Sequence, residues 1–297
     1  MHQSFWSRYL LIIIAVGILL AACQPAQSEA SPGQASVYIQ NKGSDTIVNL
    51  ALAWAERYQS AHTDVNISVT GGGSGTGITA LISGTVDIAN ASRAMKKEEY
   101  AEAQKKGITP QEHVIARDAI AVIINPANPV KELTLKQISA IYQGQIKNWK
   151  ELGGENRPII RLSRETNSGT HIYFLEAVVR LGNSKDKALF SMDTLLLPSS
   201  EGIIAEVREN PNAIGYDGLG YIVPEVKVVA VAKESGQAYV LPSVETVNDG
   251  TYPISRDLYM YTASTISQGG KDYLEWILSE EAQAIVKQLG FVPVSQP

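Results

Sequence analysis

Seven consecutive residues, Arg164-Glu165-Thr166-Asn167-Ser168-Gly169-Thr170, carry the side chains that an anion site needs. Ser168 and Thr170 supply hydroxyl donors. Gly169 lets the backbone approach a ligand closely. Arg164 adds a permanent cation with a planar fork of donors. An apolar run before the block, residues 158–162, reads as a buried strand. His171 to Val179 after it reads as a helix. The loop therefore sits at a helix start, where unpaired N–H groups and the helix dipole favour negative charge. An ordinary N-cap is the competing reading, since Ser and Thr open many helices.

The same construction recurs, which shifts the balance. Val37-Tyr38-Ile39-Gln40 reads as a strand, and Gly43-Ser44-Asp45-Thr46 leads from it into an apolar stripe at helical spacing (Ile47, Leu50, Ala51, Trp54, Ala55, Tyr58). Val65 to Val69 alternates as a strand and runs into Gly71-Gly72-Gly73-Ser74-Gly75-Thr76-Gly77, with a short helix expected over 78–83. A third strand, 86–89, leads through Ser92 and Arg93 to a charged helix over 96–106. The glycine run is not a Walker A loop, because no Gly-Lys-Ser/Thr follows it. Nor is it a nucleophile elbow, since Thr76 stands where the last glycine of G-x-S-x-G belongs.

Downstream, Ala119 to Ile124 reads as a buried strand and Leu133 to Tyr142 as a helix. A helix is expected over 200–209 and strands over 213–216 and 226–231. Tyr252 to Tyr261 reads as an aromatic extended segment, and Lys271 to Leu289 as one long helix stopped by Gly290. Alternating strands and helices predict an α/β fold with mostly parallel sheets and ligands beyond the carboxyl ends of the strands.

The 297 residues are 44% hydrophobic and 19% charged, enough for two lobes. A net charge of −5 argues against nucleic acid and requires any anion site to be built locally. At the N-terminus, Arg8 precedes an apolar stretch over 10–20 that ends in Ala21-Ala22-Cys23. That pattern reads as a signal peptide over 1–22, and the Cys resembles a bacterial lipobox cysteine that receives lipid. Cys23 is the only cysteine, which excludes an internal disulfide or a cysteine metal cluster. Residues 23–36 read as a flexible tether, so the chain is expected outside the cytoplasmic membrane, at the periplasm or cell surface.

The order of these features resembles the phosphate-binding proteins of bacterial ABC phosphate importers. The matching pieces are Gly43-Ser44-Asp45-Thr46, Gly73-Ser74-Gly75-Thr76, Thr85-Val86-Asp87-Ile88, Ala91-Ser92-Arg93, the 164–170 block and Tyr252-Pro253-Ile254. The likeness covers nearly all of the chain from Val37 onward, and Arg-x-x-x-Ser-Gly-Thr is its most specific part. It implies a two-lobed type II periplasmic-binding-protein fold with the ligand in the cleft. Lobe 1 would take 37–121 and 254–297, and lobe 2 would take 122–253. Ser44, Asp45, Thr46, Ser74, Ser92 and Arg93 would face phosphate from lobe 1. Arg164, Ser168, Gly169 and Thr170 would close on it from lobe 2. The implied protein is a monomeric binder of inorganic phosphate that serves a membrane permease, without cofactor, metal or catalytic residue.

One departure bears on selectivity. Well-known members of the family carry an aspartate, the acceptor for the proton of hydrogen phosphate, where this chain has Arg93. Asp45 is the expected substitute, with Asp87 as runner-up. A carboxylate there bonds a protonated oxyanion and repels sulfate. Two alternatives stay open: a binder of sulfate or molybdate, and a phosphatase using His171 as base. Against the phosphatase, no pair among His2, His62, His113 and His171 has metal-ligand spacing.

Overall fold

The computed structural model describes residues 36–294. The signal segment, Cys23 and the tether up to residue 35 lie outside the described residues. Alternation of strands and helices is observed as expected. In chain order the first half holds β1 (Val37–Gly43), α1 (Asp45–Ala61), β2 (Val65–Thr70), α2 (Ser74–Ile82), β3 (Ile88–Ala91), α3 (Lys97–Lys105) and β4 (Pro110–Ile124). There follow β5 (Glu132–Thr134), α4 (Leu135–Tyr142), β6 (Ile160–Arg164), α5 (Gly169–Phe174, continued by a π turn over Leu175–Val179) and β7 (Leu195–Leu197). The remainder is α6 (Ser200–Glu209), β8 (Ala213–Gly218), β9 (Lys227–Val228), β10 (Ala230–Ala232), α7 (Val244–Asn248), β11 (Ser255–Ala263), α8 (Gln268–Ile277) and α9 (Glu280–Gln288).

The main sheet runs β2-β1-β3-β11-β4-β8-β6-β7. Its flanks are parallel, as strand-helix-strand units demand, but its centre is antiparallel: β11 pairs antiparallel with both β3 and β4, and β4 with β8. The expectation of mostly parallel pairing therefore holds only outside the middle. The reason is chain path: β11 returns from the second half and enters between β3 and β4 from the opposite end.

β4 is the spine. Nine of its first ten residues pair with β11, from Pro110↔Ala263 to Ala119↔Ser255 with Ile115 skipped at a bulge, and its last five pair with β8. Polar residues such as Glu112, His113 and Asp118 hide the first part from a reading by apolar runs. Two large apolar clusters pack on the sheet. One is built around Trp54, Ile39, Leu258 and Tyr273, the other around Ile120, Tyr142, Phe174 and Tyr216. The stripe expected on α1 is the buried one, and Trp54 Nε1 donates to Ala282 O at 2.9 Å.

The expected single C-terminal helix is two. Ser279 opens α9, its side chain accepting from the Ala282 N–H, and Glu280 and Glu281 fill the first turn. That local cap outcompetes continuation of α8.

Candidate functional site

Four strand-to-helix turns meet. α1 starts directly after Ser44, with Asp45 in its first turn. α2 starts at Ser74, four residues earlier than expected, so Ser74 to Gly77 form its first turn. Gly73 precedes it at φ 90°, a left-handed conformation that glycine tolerates without strain. β3 ends at Ala91 and delivers Ser92. α5 starts after Ser168, whose hydroxyl accepts from the Thr170 N–H at 3.2 Å.

The hydroxyls interlock. Ser44 Oγ donates to Ser92 Oγ at 2.9 Å, and Ser74 Oγ lies 3.2 Å from Ser92 Oγ while accepting the Ser92 N–H at 3.0 Å. Thr46 Oγ1 and Thr170 Oγ1 are 2.8 Å apart, although 124 positions separate them. Gly169 rests against this group: a Cβ there would collide with both Ser74 Oγ and Ser92 Oγ. Ser44, Thr46, Ser74, Ser92, Ser168 and Thr170 are all buried. Asn167 joins the loops from the side, Nδ2 donating to Gly72 O at 3.0 Å and its carbonyl accepting the Gly75 N–H at 3.1 Å.

Charge is supplied beside the hydroxyls. Arg164, buried at the end of β6, donates from Nη2 to Asp45 Oδ2 at 2.9 Å and to Pro198 O at 2.7 Å, and from Nη1 to Ser200 Oγ at 2.8 Å. The other Asp45 oxygen accepts the Gly72 N–H at 2.8 Å. Ser200 Oγ donates to Asp217 Oδ1 at 3.0 Å, and Arg164 Nη1 stands 4.0 Å from Asp217 Oδ2. Burial raises the Asp217 carboxyl to about 6, against the opposing pull of Arg164. Its Oδ2 has no hydrogen-bond partner among the described residues.

Of the ten residues expected in the site, nine converge: Ser44, Asp45, Thr46, Ser74, Ser92, Arg164, Ser168, Gly169 and Thr170. Arg93 is set apart from them. Its Nη atoms form a two-pronged bond to Glu99, at 2.8 and 2.6 Å, so its guanidinium braces the start of α3 instead of joining the hydroxyls. It lines a neighbouring cavity of about 300 Å³ with Lys96, Tyr173 and Arg256. Asp87, the runner-up acceptor, bonds the Gln40 N–H at 2.8 Å at the strand edge. His171 Nδ1 lies 2.9 Å from Ser163 Oγ, which is 2.6 Å from Tyr216 OH, and burial lowers its pKa. Among the described residues no group of three or more His, Cys, Asp or Glu could hold a metal ion.

The sequence reading missed Arg256 and Asp118. Arg256 Nη2 donates to Asp118 Oδ2 and to Thr170 Oγ1, both at 2.9 Å, and Nη1 donates to Ser92 O at 2.8 Å. The available signal was a pair of opposite charges, one inside the aromatic segment and one preceding the apolar run of β4.

Comparison with known proteins bears on this arrangement. Residues 28–281 match the profile described as PBP superfamily domain. The chain is 33% identical, over 96% of its length and 93% of the relative's, to the phosphate-binding protein PstS of Pseudomonas aeruginosa. It is 30% identical to PstS of Bacillus subtilis, over 96% and 93%. A Clostridium perfringens protein described as a phosphate ABC transporter substrate-binding protein, solved with bound phosphate, superposes with a TM-score of 0.78 at 34% identity, covering 87% of this chain and all of that one.

Proposed function

We propose a function from the premise that this chain belongs to the PBP superfamily, in the family of bacterial phosphate-binding proteins: it captures inorganic phosphate in a cleft between two lobes and delivers it to the permease of an ABC importer. The observation that carries this reading is the meeting of Ser44, Ser74 and Ser92 with Gly169, from turns far apart in the chain. Hydroxyls, helix-start N–H groups and a paired arginine suit a small oxyanion, whose desolvation must be offset by many preoriented donors. Lobe boundaries at 121/122 and 253/254 are supported by β4, which changes partner from β11 to β8 between Ala119 and Ile120. Closure of such lobes on a ligand gives a transporter a shape to recognise.

Asp45 is the acceptor for the proton of hydrogen phosphate. It accepts one bond at each oxygen, from Gly72 and Arg164, and a carboxylate has about four acceptor positions, so capacity is left. Arg93 stands behind the ring, held by Glu99, and acts on phosphate only through the nearby field. The chain is a binder and not an enzyme, a reading supported by His171 being turned to Ser163 and Tyr216. It works as a monomer outside the cytoplasmic membrane, tethered by lipid on Cys23. No helix of the described residues is long and apolar enough to cross a membrane.

Equilibrium dialysis with labelled phosphate, in competition with sulfate and molybdate, tests the reading. Displacement by unlabelled phosphate alone is expected. Equal displacement by sulfate would remove Asp45 from its role.

A further inference from the structure

We propose that Arg256 is a second cation of the anion site, touching the bound oxyanion directly, and that Asp118 is its positioning residue. This inference rests on the phosphate-binding reading above. Arg256 is the second residue of β11, is buried, and sits where that strand faces Asp118 of β4. One guanidinium there reaches three of the four converging turns. Nη1 donates to Ser92 O at 2.8 Å, and Nη2 donates to Thr170 Oγ1 at 2.9 Å with Thr46 Oγ1 at 3.5 Å. Those residues come from the β3 end, the α5 start and the α1 start.

Asp118 is itself fixed. Oδ2 accepts from Arg256, Oδ1 accepts the Leu219 N–H at 3.1 Å, and Gly218 lies so close that a Cβ there would press on the carboxylate. The carboxylate therefore cannot swing, and it aims the guanidinium at the hydroxyls. The Tyr173 ring faces the guanidinium carbon, with its centroid 5.4 Å away, and limits it on the side of the neighbouring cavity.

Unpartnered donors complete the pattern. Nε of Arg256 and Nε of Arg164 are both buried without a hydrogen-bond partner among the described residues. A buried N–H on a cation is costly to leave unpaired, and an oxyanion is the strongest acceptor such donors can find. Arg164 is paired with Asp45 and stands 4.0 Å from Asp217, and Arg256 is paired with Asp118, so neither brings a bare charge into the resting site. The two pairs would let the protein select by donor geometry rather than by gross attraction, which suits a chain of net charge −5.

The competing account makes Arg256–Asp118 a structural tie between β4 and β11. Three variants separate the two: Arg256→Lys, Arg256→Gln and Asp118→Asn, each measured for melting temperature without phosphate and for phosphate affinity by calorimetry. Arg256→Lys retains a charge for Asp118 and loses the fork to Ser92 and Thr170. It is expected to keep its melting temperature within a few degrees and to bind phosphate at least tenfold more weakly. Arg256→Gln is expected to lose about a hundredfold, and Asp118→Asn less than either. A structural tie predicts the reverse: lowered melting temperature with phosphate affinity intact, and that result overturns the inference.

Should Arg256→Gln fail to fold, the arginine Nε–H signals of the wild type, assigned with Arg164→Lys and Arg256→Lys, give the second readout. Phosphate should shift both signals. A shift of the Arg164 signal alone overturns the inference. Wild-type protein that does not bind phosphate at all overturns this inference and the proposed function together.

Discussion

Arg164 and Asp45 form a 2.9 Å ion pair across 119 positions of sequence, joining the end of β6 to the first turn of α1. The arginine side chain is 1% exposed and the aspartate 20%, so the pair lies at the inner edge of the site rather than on a screened surface. Removing Arg164 leaves Asp45 and the buried Asp217 without their cation. Arg164→Ala should weaken phosphate binding by a hundredfold or more, about 3 kcal/mol or above, in the range for breaking a buried pair. Asp45→Asn should cost about tenfold in phosphate affinity and also narrow the preference over sulfate, because an amide no longer repels a fully ionised anion. Competition calorimetry reads both; unchanged phosphate affinity in Arg164→Ala contradicts the assignment.

Gly169 offers a steric test. Alanine there would drive a methyl group into Ser74 Oγ and Ser92 Oγ. Overpacking of this sort costs about 1–3 kcal/mol. Gly169→Ala should lower the melting temperature and abolish measurable phosphate binding, while Gly84→Ala, whose Cβ would meet nothing within 4 Å, should leave binding as it was.

Ser92 is the middle of the hydroxyl chain, between Ser44 and Ser74. Hydrogen bonds to a charged partner contribute about 1.5–3 kcal/mol each. Ser92→Ala should therefore weaken phosphate by roughly ten- to a hundredfold, with only a small change in stability of the phosphate-free protein. A loss confined to stability would count against a ligand-facing hydroxyl.

Asp217 predicts a pH signature. Its folded pKa is raised to about 6 by burial, above the ordinary carboxylate value of 3.8, with Arg164 opposing and Asp118 adding to the rise. The folded state thus holds a proton that the unfolded state has lost. The contribution to stability is full below about pH 4 and is lost as pH rises through about 6. At about 1.4 kcal/mol per unit, roughly 3 kcal/mol disappears across that window. Denaturant melts of the wild type against Asp217→Asn should show the difference between them changing over pH 4–6 and levelling above 7. A constant difference at all pH values would exclude this titration.

Much of this candidate site is legible in the sequence alone, and the reason is local. Ser44, Ser74, Ser92 and Ser168 each sit where an apolar strand hands over to an amphipathic helix, and that punctuation is written in adjacent residues. The extent of α6, residues 200–209, agrees for the same reason. Part of what escaped was decided at long range. Asp118 looks like an unremarkable acid until Arg256 faces it in the register of β4 and β11. Arg93 carries the right charge at the right turn, yet Glu99, in the first turn of α3, captures it. The first half of β4 is polar by sequence because its partners are polar too, as with Tyr261 OH donating to Glu112 at 2.6 Å. The split between α8 and α9 was visible in Ser279-Glu280-Glu281, a cap followed by acids, inside a run that apolar spacing alone makes continuous.

The most direct measurement is a crystal structure of the protein grown with inorganic phosphate. The account predicts one tetrahedral anion with oxygens within about 3 Å of Ser44, Ser74, Thr170 and the Gly169 N–H, and with Arg164 beside it. Phosphate absent from that point, or held elsewhere while these turns bond only to one another, would contradict it.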